Sequence, residues 1–329
     1  MRKTAWAVAT LTVSIALSLL WLERLSLQTL SINEPTLIMV KPGSNITRLG
    51  KQLIQAGQLK QSLWQLRLLD RTFGGKAPIK AGEYQVTPDA TLLAFFEQLR
   101  SGQAYTRKLT FPEGWTLAQW RTQLHSAKGL RHLTAKMTET ELAIAVTGTA
   151  NSLEGWLLPE TYHYTRGDAD LKILKQAHLA MQKQLDLIWN THPHQDLRNP
   201  TELLTLASIV ERESGRNEDR YKIARVFLNR LQKGMRLQSD PTIIYGLGPA
   251  FDGDLKRRHL TSDGPFNTYT RAGLPPTPIC NPGASALVAV LTPAMGDWLY
   301  FVGRGDGSSQ FSLDLAAHNR AVNQYQRGK

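Results

Sequence analysis

The chain has 329 residues, of which 42% are hydrophobic and 8% aromatic, a composition typical of globular proteins and not of disordered ones. Its 39 Lys and Arg residues against 27 Asp and Glu residues give a formal charge of +12. That charge favours a polyanionic partner such as nucleic acid, anionic lipid or an acidic wall polymer. Because the sequence has no long basic run, zinc-ligand spacing or nucleic-acid module, we predict no nucleic-acid partner.

The first residues predict a membrane anchor. Arg2 and Lys3 precede an uncharged stretch of 19 residues, 4–22, which reads TAWAVATLTVSIALSLLWL. About 20 apolar residues cross a hydrocarbon core. A cleaved signal peptide is the alternative, but residues 16–18 (Ala-Leu-Ser) make a poor cleavage site and the apolar run continues beyond them. The positive-inside rule makes residues 1–3 a cytoplasmic tail and places everything from Glu23 across the membrane.

After a short predicted tether at residues 23–33, one pattern occurs three times. PGSNITRLGKQL (42–53), PDATLLAFFEQL (88–99) and PEGWTLAQWRTQL (112–124) each follow a strand-like run. In each copy proline ends the strand and apolar residues follow at helical spacing. Each predicted helix begins at a capping residue, which is Asn45, Thr91 or Thr116.

Residues 34–103 predict a small α+β module. The stretch MVKPGSNITRLGKQLIQAGQL, closed by IKAGEYQV, resembles the strand–helix–helix–strand outline of a LysM-type glycan-binding module. A generic strand–helix packing unit is the alternative, because it produces the same pattern.

Residues 104–329 predict one larger mixed α+β domain. Pro- and Gly-rich stretches between 235 and 300 predict ordered loops, where binding and catalytic groups tend to collect. The closing stretch WLYFVGRGDGSSQFSLDL predicts a hairpin with a Gly-Asp-Gly turn. Helices are predicted at 116–126, 138–146, 168–190, 200–214, 219–233 and near 312–326.

The helix predicted at 200–214 ends within the stretch TLASIVERESG (205–215) and places two acids among apolar residues. Asn199 and Pro200 are a strong start signal, and Thr205, Ser208 and Arg212 form a narrow polar stripe. Glu211 and Glu213 fall near opposite edges of the apolar arc, about 160° apart, so at most one of them serves a given cleft. A buried carboxyl either takes up a proton or bonds a cation. The arginines weighed for the second, structural alternative are Arg212, Arg216, Arg225 and Arg230.

A family resemblance chooses between the two acids. LASIVERESG, IARVFLNRLQKGMRLQSDPTIIYGLG, FNTYTRAGLPPTPICNPG and the upstream EGWLLPETYHY closely resemble motifs of the YceG/MltG family of membrane-anchored endolytic murein transglycosylases. The resemblance covers essentially the whole chain and implies a catalytic role for the first acid of its SIVE segment, Glu211. Phe266 stands where many relatives have Tyr, so no hydroxyl role is assigned there.

The implied chemistry needs a single carboxyl group. The substrate is the bond between N-acetylmuramic acid and N-acetylglucosamine, and the muramic acid 6-hydroxyl attacks its own anomeric carbon. Glu211 first protonates the leaving oxygen and then accepts the proton of that hydroxyl, which differs from the two-carboxylate pattern of ordinary glycosidases. Such a carboxyl needs a raised pKa, which an apolar helix face supplies.

The motif loops supply the predicted sugar-binding groups, with packing or turn roles as the alternative for each. The lone Cys280 excludes an internal disulfide and a Cys-based metal cluster, and the eight His residues lack metal-ligand spacing. No metal or cofactor is therefore predicted. The predicted substrate-binding residues are Gln238, Asp240, Tyr245, Asn267, Tyr269 and Glu160.

Three other functions remain open from the sequence. One is a muramidase that uses water, and another is a non-catalytic scaffold that recognises glycan through residues 34–103. A nucleic-acid binder is the third, and it fails if the bulk of the chain lies outside the cytoplasm. The resemblance implies an inner-membrane protein with its bulk in the periplasm, acting on peptidoglycan strands and coupled to peptidoglycan synthases.

Overall fold

The computed structural model describes residues 2–73, 77–193 and 196–327, with side chains described from Trp6 onward. The chain divides into two compact units, and both combine helices with strands, which confirms the predicted α+β class. Unit 1 comprises Met1–Arg107 and His163–Gly167, and unit 2 comprises Lys108–Tyr162 and Asp168–Lys329.

Unit 1 begins with helix α1 (Arg2–Ser26). Its stretch Trp6–Ser26 has 21 residues, a mean hydropathy of 1.6 and only 6% of its most apolar window buried. It is therefore long and apolar enough to cross a membrane. The helix also extends four residues beyond the predicted span of 4–22, to Ser26.

Residues 23–33, predicted as a tether, pack into unit 1 instead. Leu25 and Leu30 are each 3% exposed and belong to the core of the unit. The backbone nitrogens of Ser31 and Leu92 donate to the carbonyls of Gln58 and Gln28, both at 2.8 Å. The segment is ordered because its leucines bury apolar surface and its backbone groups find partners in the unit.

The rest of unit 1 follows the predicted strand–helix–helix–strand order. The two strands in this order pair antiparallel, with Thr36 opposite Val86. The predicted helix caps are also present, because the side chains of Asn45 and Thr91 accept hydrogen bonds from backbone nitrogens three residues ahead. In chain order the elements are β1 (Thr36–Val40), α2 (Ile46–Gln55), α3 (Leu63–Phe73), β2 (Gly82–Val86) and α4 (Leu92–Ser101).

A second two-stranded sheet consists of β3 (Thr106–Thr110) and β4 (Thr161–Thr165). Unit 2 is mainly helical. The predicted closing hairpin is present as an antiparallel pair, β5 and β6. The remaining elements are α5 (Leu117–Ser126), α6 (Glu139–Thr147), α7 (Asp170–Thr191), α8 (Pro200–Glu213), α9 (Asn217–Gln232), α10 (Asp240–Leu247), α11 (Arg257–Thr261), α12 (Ala284–Leu291), β5 (Tyr300–Gly303), β6 (Ser309–Ser312) and α13 (Leu315–Val322).

The region predicted as loops between 235 and 300 contains three of these helices, α10 to α12. Pro241 lies in the first turn of α10, where the N–H that proline lacks has no intrahelical acceptor. The proline therefore favours the start of a helix within a stretch that the sequence predicted as an ordered loop. The predicted last helix starts at Leu315 and passes into a π-helical turn at Asn323–Arg327.

Helix α8 forms the centre of the unit 2 core. Its predicted cap Asn199 accepts a hydrogen bond from the backbone nitrogen of Glu202 at 2.9 Å. The predicted polar stripe is largely wrong, because Thr205 and Ser208 are buried at 3% and 0% exposure. The hydroxyl of Ser208 is satisfied by the backbone nitrogen of Ile279 at 3.0 Å. Burial on every side fixes the helix and therefore the place of the two acids at its C-terminal end.

Candidate active site

Glu213 is the last residue of α8, and its carboxyl group has no cationic contact. Its Oε1 atom accepts a hydrogen bond of 2.6 Å from the hydroxyl of Ser239. Across the described part of the chain, no salt bridge within 4.0 Å involves Glu213. Burial, reinforced by the negative charge of Asp240, raises its pKa to about 7 against the opposing Ser239 hydrogen bond and the Arg230 charge. Near neutral pH this carboxyl therefore populates both the acid and the base form.

Glu213 lines a cavity of about 520 Å³ in unit 2. Three of the predicted sugar-binding residues line the same cavity: Gln238, Asp240 and Tyr269. The hydroxyl of Tyr269 donates to Asp240 Oδ1 at 2.6 Å, so these two side chains are held together. A concave site with a few convergent polar groups and one carboxyl of perturbed pKa has the features of a candidate active site.

The loop before α10 is held by a network around Ser239, a residue that the sequence reading passed over. Ser239 is 1% exposed, and its backbone nitrogen donates to Thr268 Oγ1 at 3.0 Å. The preceding residue, Gln238, has a φ of 50°, and no other non-glycine residue in the described ranges has positive φ. Backbone strain of this kind persists only where the surroundings hold it, and it concentrates at functional sites.

Arg230 of α9 supplies many of the hydrogen bonds that fix this loop. Its guanidinium donates to the carbonyls of Leu299 (2.7 Å) and Leu237 (2.9 Å) and to Oε1 of Gln238 (3.2 Å). It also lies over the ring of Tyr300, 5.1 Å from the ring centroid. Arg230 therefore places a positive charge at the cavity, but its hydrogen bonds go to loop carbonyls and to the Gln238 amide oxygen. It forms no ion pair with Glu213.

Glu211, the predicted catalytic acid, differs from Glu213 in that its carboxyl group contacts a cation. Its Oε1 accepts from the guanidinium of Arg220 at 2.9 Å, and both side chains are 7% exposed. Its Oε2 accepts from the backbone nitrogen of Gly283, at 3.0 Å, where α12 begins. Burial raises the pKa of Glu211, and the Gly283 hydrogen bond and Arg220 oppose that rise. A contact of the kind that the structural alternative describes is therefore present, and it is made by Arg220, which lies outside the set of arginines considered.

The other predicted contacts do not line the cavity around Glu213. Asn267 is 4% exposed, and its amide bonds the carbonyls of His259 and Ser262, so it holds a turn. Tyr245 packs edge-on against Phe266 at 4.9 Å. Glu160 is exposed, and its carboxylate accepts from the neighbouring backbone nitrogen of Thr161.

A second carboxyl with a pKa of about 7 is that of Glu154. Glu154 lies in the motif EGWLLPETYHY but was not among the predicted site residues. It is 4% exposed, and burial raises its pKa against the hydrogen bonds from the backbone nitrogen of Leu117 and the hydroxyl of Tyr245. Glu154, Tyr245 and Arg212 line a separate cavity of about 570 Å³. In the described ranges, no group of three or more His, Cys, Asp or Glu side chains is placed to hold a metal.

Comparison with known proteins identifies the relatives of this chain. The model of the YceG-like family matches residues 38–324. The chain belongs to the YceG-like family. It is 34% identical over 274 residues to the endolytic murein transglycosylase of Bacillus subtilis strain 168, covering 77% of this chain and 75% of that protein.

Two further comparisons extend the likeness of this YceG-like chain. It is 28% identical over 323 residues to the endolytic murein transglycosylase of Streptococcus pneumoniae strain ATCC BAA-255 / R6, which covers 88% of this chain and 58% of that longer protein. The crystal structure of a yceG-like protein from Listeria monocytogenes superposes with a TM-score of 0.55 at 26% identity, covering 88% of this chain and 99% of that one. These matches confirm the resemblance recognised in the motifs, and the family match includes most of unit 1.

The YceG-like motifs contain the residues that the sequence reading missed. Ser239 stands between the selected Gln238 and Asp240, and Arg230 lies in the quoted IARVFLNRLQKGMRLQSDP stretch. Both act through contacts with residues distant in sequence, which no local pattern displays. A signal was available for Ser239, because a small polar residue before Asp-Pro is a common helix start.

Proposed function

We propose that this protein is an endolytic lytic transglycosylase that cleaves the bond between N-acetylmuramic acid and N-acetylglucosamine in peptidoglycan and leaves 1,6-anhydro ends. Membership of the YceG-like family and relatives named endolytic murein transglycosylases support the substrate class. The observation that carries the proposal is the unpaired Glu213 carboxyl, with a pKa of about 7, in a cavity with polar lining residues.

In this mechanism Glu213 is the general acid and then the general base. Its protonated carboxyl donates to the glycosidic oxygen as the bond to the anomeric carbon breaks. The resulting carboxylate accepts the proton of the muramic acid 6-hydroxyl as that oxygen attacks the same anomeric carbon. Proton and charge balance without a water molecule, and the pKa near 7 suits both half-reactions. Ser239 orients the carboxyl through Oε1 and leaves Oε2 for the substrate.

The proposal therefore moves the catalytic role from Glu211 to Glu213. Both oxygens of Glu211 already accept hydrogen bonds, from a guanidinium and a backbone N–H, so neither is free for a sugar oxygen. Burial raises the pKa of Glu211, and these two donors oppose that rise. Gln238, Asp240 and Tyr269 are proposed as sugar contacts because they line the cavity of Glu213. Glu160, Tyr245 and Asn267 are given no sugar contact in this proposal.

The remaining architecture is proposed around this site. We propose that α1 is a single-pass anchor with a cytoplasmic N terminus, so that the bulk of the chain acts in the periplasm. Residues 34–103 act as a LysM-like module that contacts glycan, and residues 104–329 form the catalytic domain. Coupling to peptidoglycan synthases is part of the same proposal.

End-group analysis of purified glycan strands tests the function. The wild-type chain is compared with Glu213→Gln and with Glu211→Gln, each checked for folding by circular dichroism. We expect anhydro ends from the wild type, none above background from Glu213→Gln, and measurable activity from Glu211→Gln. Reducing ends indicate a muramidase, and loss confined to Glu211→Gln returns the catalytic role to Glu211. No product from the wild type, with both variants functional in cells, indicates a scaffold.

A further inference from the structure

Two tryptophans of unit 1 stack on each other while remaining largely exposed. Trp21, near the end of α1, and Trp64, in the first turn of α3, have ring centroids 5.8 Å apart and an interplanar angle of 14°. Their exposed fractions are 41% and 59%. A stacked indole pair that keeps so much apolar surface in contact with solvent indicates a surface with another partner.

The place of Trp21 along α1 fixes the depth of this pair. Trp21 lies five residues before Ser26, the last residue of α1, so only about 7–8 Å of helix separates it from the end of the candidate span. Tryptophan is enriched at this level, where the hydrocarbon meets the headgroups. Because Trp64 contacts Trp21, a bilayer crossed by α1 reaches α3 as well.

Leu22 and Leu25 strengthen this link, because both are buried in the core of unit 1 at 9% and 3% exposure. The helix enters the unit without a flexible connection, so unit 1 begins at the membrane surface when α1 spans. The depth of α3 therefore follows from packing within unit 1.

Helix α3 has the amphipathic character of an interfacial helix. Leu66 and Leu69, both 2% exposed, face the core of the unit. The exposed residues of the outward face follow helical spacing and combine apolar with cationic side chains: Trp64, Arg67, Leu68 and Arg71. Arginines on such a face place their guanidinium groups at phosphates while their methylene groups remain in the apolar layer.

We propose that the outward face of α3 docks on the headgroup layer of the bilayer that α1 spans, as a second membrane contact that takes anionic phospholipid. The proposal rests on the anchor role proposed for α1. The occupant is identified as lipid because the face continues from the candidate span through the Trp21–Trp64 stack, and because Arg67 and Arg71 complement phosphate. The contact would hold unit 1 against the membrane and restrict it to the glycan nearest the bilayer.

Depth-dependent fluorescence quenching of the full chain in vesicles tests the proposal. Leu68→Cys on α3 is labelled with an environment-sensitive fluorophore, and the lipids carry a nitroxide near the headgroup. Leu37→Cys is the matched control. Leu37 is 42% exposed against 37% for Leu68, and it lies on the face of the β1–β2 sheet opposite the core residues Ile38 and Val40. The native Cys280, at 0% exposure, does not compete for the label.

An interfacial face penetrates about 5–10 Å, so we expect at least about twofold stronger quenching at position 68 than at position 37. The difference should shrink when Trp64→Ala is added, and also when Arg67→Glu and Arg71→Glu are introduced together in vesicles containing phosphatidylglycerol. If quenching is equal or absent at the two positions while the chain still resists alkaline extraction, α1 is anchored but the docking is overturned. The face of α3 would then be assigned to a protein partner. Loss of the chain from the vesicles on alkaline extraction overturns both the docking and the anchor, whereas the murein activity is tested separately on soluble strands.

Discussion

Glu211 and Glu213 lie two residues apart at the end of the same helix, and burial raises the pKa of both, yet their polar contacts differ. Glu211 meets a guanidinium and the N-terminal end of α12, and both favour a carboxylate. Glu213 meets a hydroxyl, the nearby charge of Asp240 and the C-terminal end of α8, where the helix dipole disfavours a negative charge. The comparison shows that burial alone does not mark a catalytic acid. In the proposed mechanism the acid is the buried carboxyl that has no ion pair, Glu213.

The largest effect should come from Glu213→Gln. Removing a positioned acid–base group typically lowers the rate by about 10²–10⁴-fold, and here one group serves both half-reactions. We expect anhydro-end formation to fall by at least about 10³-fold. The measurement is the initial rate of new ends, by mass spectrometry, from glycan strands.

Stability provides a control for that variant. Since the folded-state pKa of Glu213 lies above its ordinary value of 4.5, the folded chain binds this proton more tightly than the unfolded chain does. This contribution to stability is therefore full below pH 4.5 and is lost as pH rises to about 7. Glu213→Gln should lose less unfolding free energy across that window than the wild type. An inactive variant that is also unfolded would leave the assignment unsupported, and full activity would contradict it.

The next largest effect should come from breaking the ion pair of Glu211. Arg220→Leu leaves a buried carboxyl without its cation, and removing one partner of a buried pair costs about 3 kcal/mol or more. We expect that loss in unfolding free energy, measured by urea titration of the full chain in detergent. Adding Glu211→Leu should restore part of it, because the double variant buries no unpaired charge.

A surface pair provides the matched control. Arg271 and Asp263 lie 2.8 Å apart but are more than half exposed, so Arg271→Leu should change stability little. Equal losses at Arg220 and Arg271 would contradict the structural role given to Glu211. Loss of catalysis without loss of stability in Arg220→Leu would contradict it as well.

A smaller effect should appear in the pH dependence of the rate. The proposed mechanism needs protonated Glu213, so the rate should fall as pH rises through about 7. The Ser239 hydrogen bond lowers the pKa of Glu213 and the Asp240 charge raises it. Ser239→Ala should therefore move the alkaline limb to higher pH, and Asp240→Asn to lower pH, each by about half a pH unit.

Opposite displacements in these two variants are the result to look for in full pH–rate profiles. A loss of rate without displacement of the limb would show that both residues act only on binding. Displacement in the same direction would exclude Glu213 as the titrating group.

The sequence predicted the long elements well because their signals are local. The Asn199-Pro200 start of α8 and the three Asn and Thr helix caps depend on residues within one turn, and the structure contains all of them. The helices between 235 and 300 were missed because Pro and Gly mark both loops and helix ends. The order of strands and helices in unit 1 was also legible, whereas the packing of residues 23–33 depends on contacts with Gln58 and Leu92 far along the chain.

The partners of the two acids could not be predicted from the sequence for a related reason. Arg220 reaches Glu211 across the turn between α8 and α9, while Arg230, one of the arginines considered, is occupied by the carbonyls of Leu237 and Leu299. Which guanidinium meets which acid depends on how two helices pack. Periodicity predicted that the acids point apart, and the fold shows that they meet different partners, Arg220 and Gly283 for Glu211 and Ser239 for Glu213.

The smallest effect should come from the backbone at Gln238, where φ is 50°. Glycine adopts this conformation freely, whereas for a residue with a Cβ atom the conformation costs about 1 kcal/mol of free energy. Gln238→Gly should therefore be more stable than Gln238→Ala by about that amount, while both variants lack the amide. If the amide contacts the glycan, both should lose activity equally, in assays on the same strands. Activity retained in Gln238→Gly alone would show that this residue serves the site by shaping the loop that carries Ser239, which bonds Glu213 and not Glu211.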